Sequence, residues 1–436
     1  MALLWFLLAL LVFIQIFARL SVALSIITGA SLTLLCGYAL GLLDLDQLQI
    51  MNAFYARLNE GLAQNRIIMA IPLFLLMGSA LEYSGLMRRV LGVLTRLFRT
   101  VRGGGLLSAL LLGAILAAMS GVVGASITLL GLLVLPNLLK QGYPAHLSTG
   151  TIAAVGTLGQ LMPPSIILLI LADSIAGLYL SAQYKIGNYA PQAISVADFF
   201  EAAIIPALLL LFAYMLYVFW AAPKVESAPK YQEGSVIDVL LALALIALVL
   251  LPLLWRLVTP TESAALGAAM ALILTGKDWQ NAIKKALVLS AKIAFLMIAA
   301  SYLSLTLKVL GADAAIKNLL ETLSSGNSAK LLLIALLIMF FAGFIFDIIE
   351  LLLIFVPLLG ASLFSSTLDP VKVGILLALC AQTAFLTPPL GLSLLYLRGV
   401  APKSVRTGTM IRGIGPFVII QITFITLYYF YTIYSV

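Results

Sequence analysis

The segment GTLGQLMPPS, residues 156–165, interrupts a long apolar run with two adjacent prolines. Proline has no N–H group, so Pro163 and Pro164 break a helix at this point. The break leaves the carbonyls of Gly159 and Gln160 without donors, so they can coordinate a cation. The N-terminus of the following half-helix favours an anion. Because a break inside a membrane occurs only where protein or a cavity covers it, the segment predicts an ion or substrate site in a membrane protein.

The composition of the 436-residue chain agrees with a membrane location. Hydrophobic residues make up 63% and charged residues 10%, with a mean hydropathy of +1.15. Soluble domains are about 45–50% apolar and about 25% charged. The difference excludes a soluble globular domain, a disordered chain and a nucleic-acid-binding domain. Cys36, Cys380 and His146 are the only cysteines and histidine, and they form neither a disulfide framework nor a zinc site.

Hydropathy divides most of the chain into single membrane spans of about 20 residues. The predicted spans are 2–18, 20–42, 66–87, 200–222, 236–257, 261–276, 286–310 and 413–433. Two longer apolar runs, 104–171 and 330–398, contain glycines, hydroxyl residues and prolines in their middle. A helix in lipid must satisfy its own backbone groups, so we expect these two runs to form the functional core.

The two interrupted runs follow one pattern. Each contains a glycine-containing or polar interruption, a single proline, a polar connector and a Pro-Pro pair. The second pair lies in CAQTAFLTPPLG, residues 380–391, where Thr383 and Thr387 add hydroxyls beside the carbonyls of Ala384 and Phe385. Proline-interrupted segments at matching places in two halves indicate a secondary transporter with its site between the repeats. The alternative for each break is a structural kink.

Basic residues predict how the repeats are oriented. Cytoplasmic loops carry an excess of Lys and Arg, which places the run from Arg88 to Arg102 inside. If each interrupted run begins with a hairpin that enters and leaves on one side, 16 of the 25 cations lie inside, seven outside and two within a span. A single crossing in place of either hairpin inverts part of this asymmetry. The charges therefore favour two re-entrant hairpins that enter from opposite faces.

The predicted hairpin tips carry further polar residues. SGVVGAS, residues 120–126, combines hydroxyl and backbone oxygens that can approach an ion, although close helix packing through small residues is an equal alternative. GFIFDIIE, residues 343–350, places Asp347 and Glu350 three residues apart, which on a helix puts both carboxylates on one face. Buried acids in a membrane indicate a functional site. The alternative is a salt bridge or exposure at the interface.

Several motifs, in order along the chain, resemble the large membrane subunit of tripartite ATP-independent periplasmic (TRAP) transporters. They are GVVGASITLLGLLVLPNLLKQGY, GTLGQLMPPS, TPTESAALGA, FDIIE followed by Pro357, and TPPLG. The GTLGQxxPPS and FDxxE forms are most similar to the subgroup named for mannitol and chloroaromatic compounds. With the pattern above, the resemblance implies an all-α polytopic membrane protein of elevator type. Its inverted repeats each contain a re-entrant helical hairpin and a Pro-Pro-broken helix.

The resemblance also implies a division of the chain into a mobile transport domain and a fixed scaffold. The expected parts are scaffold helices and a first arm helix (1–103), the first transport repeat (104–171), linking scaffold helices and a second arm helix (172–329), the second transport repeat (330–398), and a cytoplasmic loop with a C-terminal helix (399–436).

By resemblance, two groups of residues are candidates for binding. The sodium-binding candidates are Ser120, Gly121, Gly124, Gly156, Thr157, Gly159, Gly343, Asp347, Thr383, Phe385 and Thr387. The substrate-binding candidates are Ser126, Gln160, Ser165, Glu350 and Gln382. The core offers no arginine to clamp a carboxylate, so anion binding would rest on half-helix ends, bound Na⁺ and amides. We expect Lys292 to extend towards the cytoplasm, and Glu82 and Lys308 to lie at membrane edges.

The predicted function is secondary active import of a small organic acid. A periplasmic binding protein would deliver the acid, and a Na⁺ gradient would drive its uptake across the bacterial inner membrane. A separate small membrane subunit of four helices is the expected partner, and Na⁺ is the coupling ion, with no cofactor and no nucleic acid. One alternative is a one-component Na⁺-coupled anion carrier. Another is an intramembrane enzyme, for which the sequence has no HExxH, no GxSxG and no histidine in a span.

Overall fold

The computed structural model describes residues 2–17, 20–44, 54, 58, 66–225, 234–389 and 391–435, and within these the regular secondary structure is helical throughout. In chain order the α-helices are α1 Ala2–Phe17, α2 Val22–Ala39, α3 Arg66–Tyr83, α4 Leu86–Leu97, α5 Gly104–Ser120, α6 Val123–Leu133, α7 Leu135–Lys140, α8 Ala145–Leu158, α9 Ile166–Lys185, α10 Val196–Ala221, α11 Val236–Leu254, α12 Pro260–Thr275, α13 Trp279–Val309, α14 Ala312–Ser324, α15 Ser328–Ala342, α16 Ile348–Leu363, α17 Pro370–Leu386, α18 Leu392–Val400 and α19 Thr407–Tyr434.

Helices α5 and α6 form the first hairpin. The Gly105 N–H at the start of α5 donates to the Tyr143 hydroxyl beyond α7 (3.2 Å), so the chain enters and leaves on one side. The turn contains Gly121, whose φ of +60° favours glycine. A Cβ on Gly121 would lie 2.9 Å from a side-chain carbon of Ile166, the first residue of α9. The tip therefore abuts the Pro-Pro break between α8 and α9.

Helices α15 and α16 repeat this arrangement in the second half. The Cys380 thiol of α17 donates to the Leu336 carbonyl of α15 (3.2 Å). A Cβ on Gly343, at the end of α15, would lie 2.6 Å from the Ala384 Cβ. Helix α15 thus runs beside α17, and its tip lies at the break between α17 and α18. The Pro-Pro peptide bond is cis in both breaks.

Helix α19 shows that the hairpins enter from opposite faces. Near its start, a Cβ on Gly413 would lie 1.9 Å from the His146 carbonyl oxygen, at the beginning of α8. Near its end, the Tyr429 hydroxyl donates to the Ala329 carbonyl at the beginning of α15 (2.8 Å). The 28 residues of α19 correspond to about 42 Å, more than the roughly 30 Å hydrocarbon core. The opposed hairpins predicted from charge are confirmed.

The helices that follow the two repeats, α10 after the first and α19 after the second, each pack against the other repeat. A Cβ on Gly150 of α8 would lie 2.2 Å from the Gly413 carbonyl oxygen of α19. In the other half, a Cβ on Gly374 of α17 would lie 2.4 Å from a ring carbon of Phe199 in α10. Gly150 and Gly374 both lie in the first half of the helix before a break. Each first half-helix therefore packs against the helix that follows the other repeat, where glycine permits close approach.

The half-helices after the breaks pack across the repeats in the same way. A Cβ on Gly131 of α6 would lie 2.6 Å from Val400 of α18, and one on Gly360 of α16 would lie 2.9 Å from Leu178 of α9. Each half-helix thus packs against the hairpin of the other repeat. This interlocking places both breaks and both hairpin tips in one central region.

The helices outside the repeats pack around the 31-residue helix α13. The Trp5 indole N–H of α1 donates to the Leu310 carbonyl just after α13 (3.0 Å). The Thr275 hydroxyl, at the end of α12, donates to the Ala80 carbonyl of α3 (2.8 Å). Helices α3 and α4 meet at 63°, with Gly85 between them at a φ of +69°. This bend lies within residues 1–103, the part that the resemblance assigns to scaffold helices and a first arm helix.

Seven of the described helices or helix runs are long and apolar enough to cross a membrane, or eight if the bent pair α3–α4 is one span. The chain is therefore a multi-pass membrane protein. Some helices begin before the predicted membrane span, because capping residues start the helix ahead of its apolar part. Helix α10 begins at Val196 because Ser195 and Asp198 form a capping box. Helix α13 begins at Trp279, directly after a short 3₁₀ turn.

Candidate transport site

A cavity of about 390 Å³ lies where the two hairpin tips meet α13. Gly121 and Gly124 line it from the first tip, and Asp347 lines it from the second. Phe385, from the last turn of α17, completes the side next to the second break. The cavity thus gathers four of the sodium-binding candidates from both repeats into one place.

The remaining first-repeat candidates lie behind this cavity, where the hairpin packs on α8. A Cβ on Gly156 would lie 2.2 Å from Ile127 Cγ1, and one on Gly159 would lie 3.2 Å from the Ala117 Cα. The Thr157 hydroxyl donates to a carbonyl one turn earlier (2.8 Å), so its lone pairs can still bind a cation. Both arms of the first hairpin therefore touch the helix just before its break.

Two other sodium-binding candidates of the first repeat, Gly124 and Ser120, are not part of this contact between the hairpin and α8. Gly124 faces the ring of Tyr396, with a Cβ approach of 3.0 Å, rather than the α8 break. The backbone of Ser120 ends α5, but its side chain lies outside the described part of the structure. The cluster at the first break is therefore described by Gly121, Gly156, Thr157 and Gly159.

The first break differs from the sequence prediction in one hydrogen bond. The Gln160 carbonyl, predicted to be free, accepts from the Ser165 hydroxyl (2.8 Å). Ser165 also caps α9, since its oxygen accepts from the Leu168 N–H. The Gln160 side chain is fully buried, and among the described residues neither of its amide atoms has a hydrogen-bond partner. Buried amides are normally paired, so Gln160 Oε1 is available to a ligand.

At the second break, the two threonine hydroxyls donate to carbonyls one turn earlier in α17. The Thr387 hydroxyl donates to the Thr383 carbonyl (2.7 Å), and the Thr383 hydroxyl donates to the Leu379 carbonyl (2.8 Å). These two hydroxyls form a ladder along the end of α17, and each oxygen keeps lone pairs for a cation. Gly343 packs against Ala384 in the same turn. The second-repeat candidates Gly343, Thr383 and Thr387 are thus neighbours at one break.

The acids Asp347 and Glu350 stand at the start of α16, whereas the spacing argument placed them inside a regular helix. Asp347 is the N-cap of α16, with an extended backbone (φ −63°, ψ 157°), and its carboxylate accepts from the Ile349 N–H. The Glu350 carboxylate accepts from the Asp347 N–H (3.0 Å). The pair forms a capping box. Because a cap orients the Asp347 carboxylate at the helix start, this acid still lines the cavity.

Tyr396 is a cavity residue that the sequence did not single out. Its ring stacks on Phe385, with centroids 6.3 Å apart and planes at 24°. It covers Gly124 on its other side, and its hydroxyl interacts with the Asp347 carboxylate. Tyr396 therefore joins the first tip, the second tip and the second break. The only sequence signal was an aromatic residue one turn into the half-helix after TPPLG.

Two lysines of α13 are the second feature that sequence reasoning missed. Lys285, Leu289 and Lys292 line the cavity from one face of α13. Lys285 forms an ion pair with Glu82 of α3, which lines the cavity beside it. Lys292 has no ion pair with a described residue. The signal was available in the sequence, since two cations seven residues apart lie on the same side of a helix.

The substrate-binding candidates are not among the residues that line this cavity. Ser165 and Gln160 lie in the first break, and Glu350 caps α16. Gln382 is fully buried in α17, and the Ser126 hydroxyl donates to the Val122 carbonyl (3.2 Å). The surface of the cavity carries positive charge from α13 and oxygen atoms from the hairpin tips.

This geometry defines a class of protein. Opposed re-entrant hairpins, matched broken helices and a cavity with charged side chains between them are the architecture of a polytopic membrane transporter. A family model described as "Tripartite ATP-independent periplasmic transporter, DctM component" matches residues 3–433. The chain belongs to this family of TRAP transporter large permeases, and it is a transporter subunit rather than an enzyme.

The chain is similar to several permeases of this family. The chain is 26% identical to the C4-dicarboxylate TRAP transporter large permease protein DctM of Rhodobacter capsulatus, over 83% of this chain and 84% of that protein. It is 26% identical to the 2,3-diketo-L-gulonate TRAP transporter large permease protein YiaN of Escherichia coli, over 91% of each. It is 27% identical to the isethionate TRAP transporter permease protein DctMQ of Oleidesulfovibrio alaskensis, over 78% of this chain and 53% of that protein.

Two solved structures share the fold. The Alcanivorax borkumensis YdaH transporter superposes with a TM-score of 0.63 at 16% identity, covering 90% of each chain. Neisseria gonorrhoeae MtrF superposes with a TM-score of 0.63 at 12% identity, covering 88% of this chain and 84% of that one. At these identities the likeness concerns the fold alone.

Proposed function

We propose that this permease imports a small organic anion together with Na⁺ through the cavity at the hairpin tips. The observation that carries the proposal is the composition of that cavity. One wall presents Lys292 without an ion-pair partner in the described chain, and the opposite wall presents Asp347 and backbone from both hairpin tips. A site with a cation on one side and oxygen ligands on the other can hold an anion and a metal cation together.

The anion would be held by α13. Glu82 already neutralises Lys285, so Lys292 is the cation that a substrate carboxylate would meet. An unpaired charge at membrane depth is costly unless it has a partner, which favours an anionic substrate. The named relatives act on a C4-dicarboxylate, a diketogulonate and isethionate. A carboxylate or sulfonate is the chemical group that these substrates share.

The sodium ions would be held at the two breaks. Hard cations such as Na⁺ take oxygen ligands, and both breaks supply backbone carbonyls and threonine hydroxyls next to a hairpin tip. The first proposed site combines the backbone around Gly121, Gly156 and Gly159 with Thr157. The second combines Gly343, Thr383, Phe385 and Thr387, with Asp347 near its edge.

The proposed movement is an elevator-type displacement of the interlocked repeats along α13. The contacts between helices of the two repeats make the repeats one packed body, so they can move together without breaking either site. Helix α13 borders the cavity on the other side and belongs with the helices that pack outside the repeats. Sliding one surface along the other would carry the site from one face of the membrane to the other.

The proposed partners are a small membrane subunit of four helices and a periplasmic binding protein, in the bacterial inner membrane. The family name refers to three components and the periplasm, and the relative named DctMQ carries two component names in one protein. A binding protein would select the acid, while the permease supplies the charged path across the membrane.

The test is uptake by proteoliposomes that contain the permease, its small subunit and its binding protein. We would assay radiolabelled succinate, isethionate, 2,3-diketo-L-gulonate, pyruvate and lactate with an inward Na⁺ gradient. We expect uptake of at least one acid, and its loss when K⁺ replaces Na⁺. No Na⁺-dependent uptake of any acid would refute the proposal. Uptake that persists without the binding protein would favour the one-component carrier.

A further inference from the structure

A second cavity, of about 310 Å³, lies near the other end of α13. Most of the lining comes from three helices: α9 from Gly177 to Lys185, α13 from Ala300 to Lys308, and α16 from Leu353 to Ala361, with Ser365 just beyond α16. A neighbouring cavity of about 390 Å³ shares Gly177 and Ser304 and extends the opening towards the membrane interior. The cleft therefore separates helices of the repeats from α13.

Positive charge is concentrated at this cavity. Lys185 from α9, Lys308 from α13 and Lys317 from α14 all line it. Lys317 lies 3.5 Å from Glu321 on its own helix, whereas Lys185 and Lys308 form no ion pair with a described residue. Hydroxyls of Ser181 and Ser304 add hydrogen-bond donors to the same walls. Ammonium groups beside hydroxyls are the chemistry that binds a carboxylate or sulfonate.

The two cavities use the same helix at two levels. Lys292 lines the cavity at the hairpin tips, and Lys308 lines this one, 16 residues further along α13. At a rise of about 1.5 Å per residue, these cations are about 24 Å apart along the helix. By the charge pattern, Lys308 is at the outer side of the membrane and Lys285 is at the inner side.

We propose that this second cavity is an outer-side anion site, in which Lys308, with Lys185 and Lys317, receives the substrate before it reaches the hairpin tips. The proposal rests on the proposed import of an organic anion and names the groups that admit it. Helix α13 then presents a cation to the substrate at both ends of its path. Since Lys308 belongs to α13, and Lys185 belongs to α9, the half-helix that follows the first break, movement of α9 relative to α13 would open and close the site.

The first test measures the charge and sidedness of the cavity without any substrate. Replacing Cys36 and Cys380 by serine and introducing Ser304→Cys gives a chain with one thiol. In spheroplasts, membrane-impermeant methanethiosulfonates with a sulfonate or a trimethylammonium group would be added from outside. We divide each reagent's rate by its rate with a free thiol in solution and compare the two reagents. We expect the sulfonate reagent to have the higher normalised rate. We also expect labelling to occur without permeabilisation of the spheroplasts. Labelling that requires permeabilisation would overturn the proposal.

The charge of Lys308 sets the expected size of this preference. Residues four apart on a helix have Cβ atoms about 5–6 Å apart. One charge at that distance in a water-like dielectric attracts the anion and repels the cation, changing the rate ratio about tenfold at low salt. Lys308→Gln should therefore lower the ratio about tenfold, and Lys308→Arg should retain it. Lys330→Gln is the matched control, because Lys330 is exposed and does not line this cavity. Equal ratios in Lys308→Gln and Lys330→Gln would overturn the proposal.

The second test uses the proteoliposome assay of the full system. For an acid that the unchanged permease transports, Lys308→Gln should raise the KM about threefold or more, with Lys308→Arg close to the unchanged protein. An unaltered KM in Lys308→Gln would overturn the outer-site proposal, but it would leave the proposed import of an organic anion intact. If the unchanged permease transports none of the acids, the proposed function fails, and the thiol ratio still decides whether the cavity attracts anions.

Discussion

Gly156→Ala tests the contact between the first hairpin and the broken helix. The added Cβ would lie 2.2 Å from Ile127 Cγ1, whereas an ordinary contact begins at 3.4 Å, so Ile127 must retreat by about 1.2 Å. Ile127 is fully buried, and Cγ1 is bonded directly to the branched Cβ, whose rotamer is stiff. The displacement therefore falls on α6 as a whole rather than on a flexible side-chain end.

A shift of this size is large compared with ion coordination. Oxygen ligands lie about 2.4 Å from a hard cation, and misplacement by about 1 Å can cost a factor of 10² in sites that depend on geometry. We expect Gly156→Ala to raise the Na⁺ concentration for half-maximal uptake at least about tenfold, which corresponds to about 1.4 kcal/mol. Uptake against Na⁺ concentration in the reconstituted system measures this value directly.

The double variant Gly156→Ala/Ile127→Ala is the control for spacing. It removes Cγ1 and leaves the Ile127 Cβ at 3.4 Å, an ordinary contact. We expect it to regain most of the Na⁺ affinity lost in Gly156→Ala. Ile127→Ala alone reports the cost of the cavity, about 2–5 kcal/mol of stability. Unchanged Na⁺ dependence in folded Gly156→Ala would refute the reasoning, as would a double variant no better than Gly156→Ala.

Three further predictions use the same reconstituted protein. Lys292→Gln should raise the KM for the transported acid up to about fivefold, near the upper limit for an exposed ion pair. Lys284→Gln, on the same helix but outside the cavity, should leave the KM unchanged. Asp347→Asn keeps a good N-cap, so it should weaken Na⁺ dependence while the melting temperature is retained. Gly413→Ala places a Cβ 1.9 Å from a carbonyl oxygen of α8 and should destabilise the protein by about 1–3 kcal/mol. Gly415→Ala is the control, because its Cβ would meet nothing within 4 Å, and it should not destabilise the protein. Thermal unfolding followed by size-exclusion chromatography measures the stability of both variants.

The broken helices and hairpins were predictable because their causes are local. Pro163 and Pro164 cannot donate hydrogen bonds wherever they are placed, so the break at this point follows from the chain itself. The bend at Gly85 also has a local cause, a glycine at a φ of +69°, although the predicted span 66–87 continued through it. Hydropathy located the spans, and the excess of cations on one side indicated that the hairpins are opposed. Each of these inferences depends on residues close together in sequence.

The hydrogen bonds at the candidate site were less predictable. The Gln160 carbonyl was expected to be free, yet it accepts from Ser165, because the chain turns back on itself within the break. Asp347 and Glu350 were expected inside a regular helix, yet they form a capping box, because the helix begins one residue after Asp347. In both cases the prediction assumed a regular helix, and the start or end of the helix decided the partner.

The sequence alone determined a membrane transporter with two inverted halves, since hydrophobic burial, proline chemistry and charge asymmetry act through composition and short spacing. The tertiary structure decided which helices of one half contact which helices of the other. The Gly150–Gly413 contact joins helices more than 250 residues apart, and only packing of the complete chain reveals it. The same holds for Lys292 and Lys308, whose places in two cavities depend on the rotation of α13 against its neighbours. Helical periodicity sets which residues share a face, but the surrounding helices determine what that face meets.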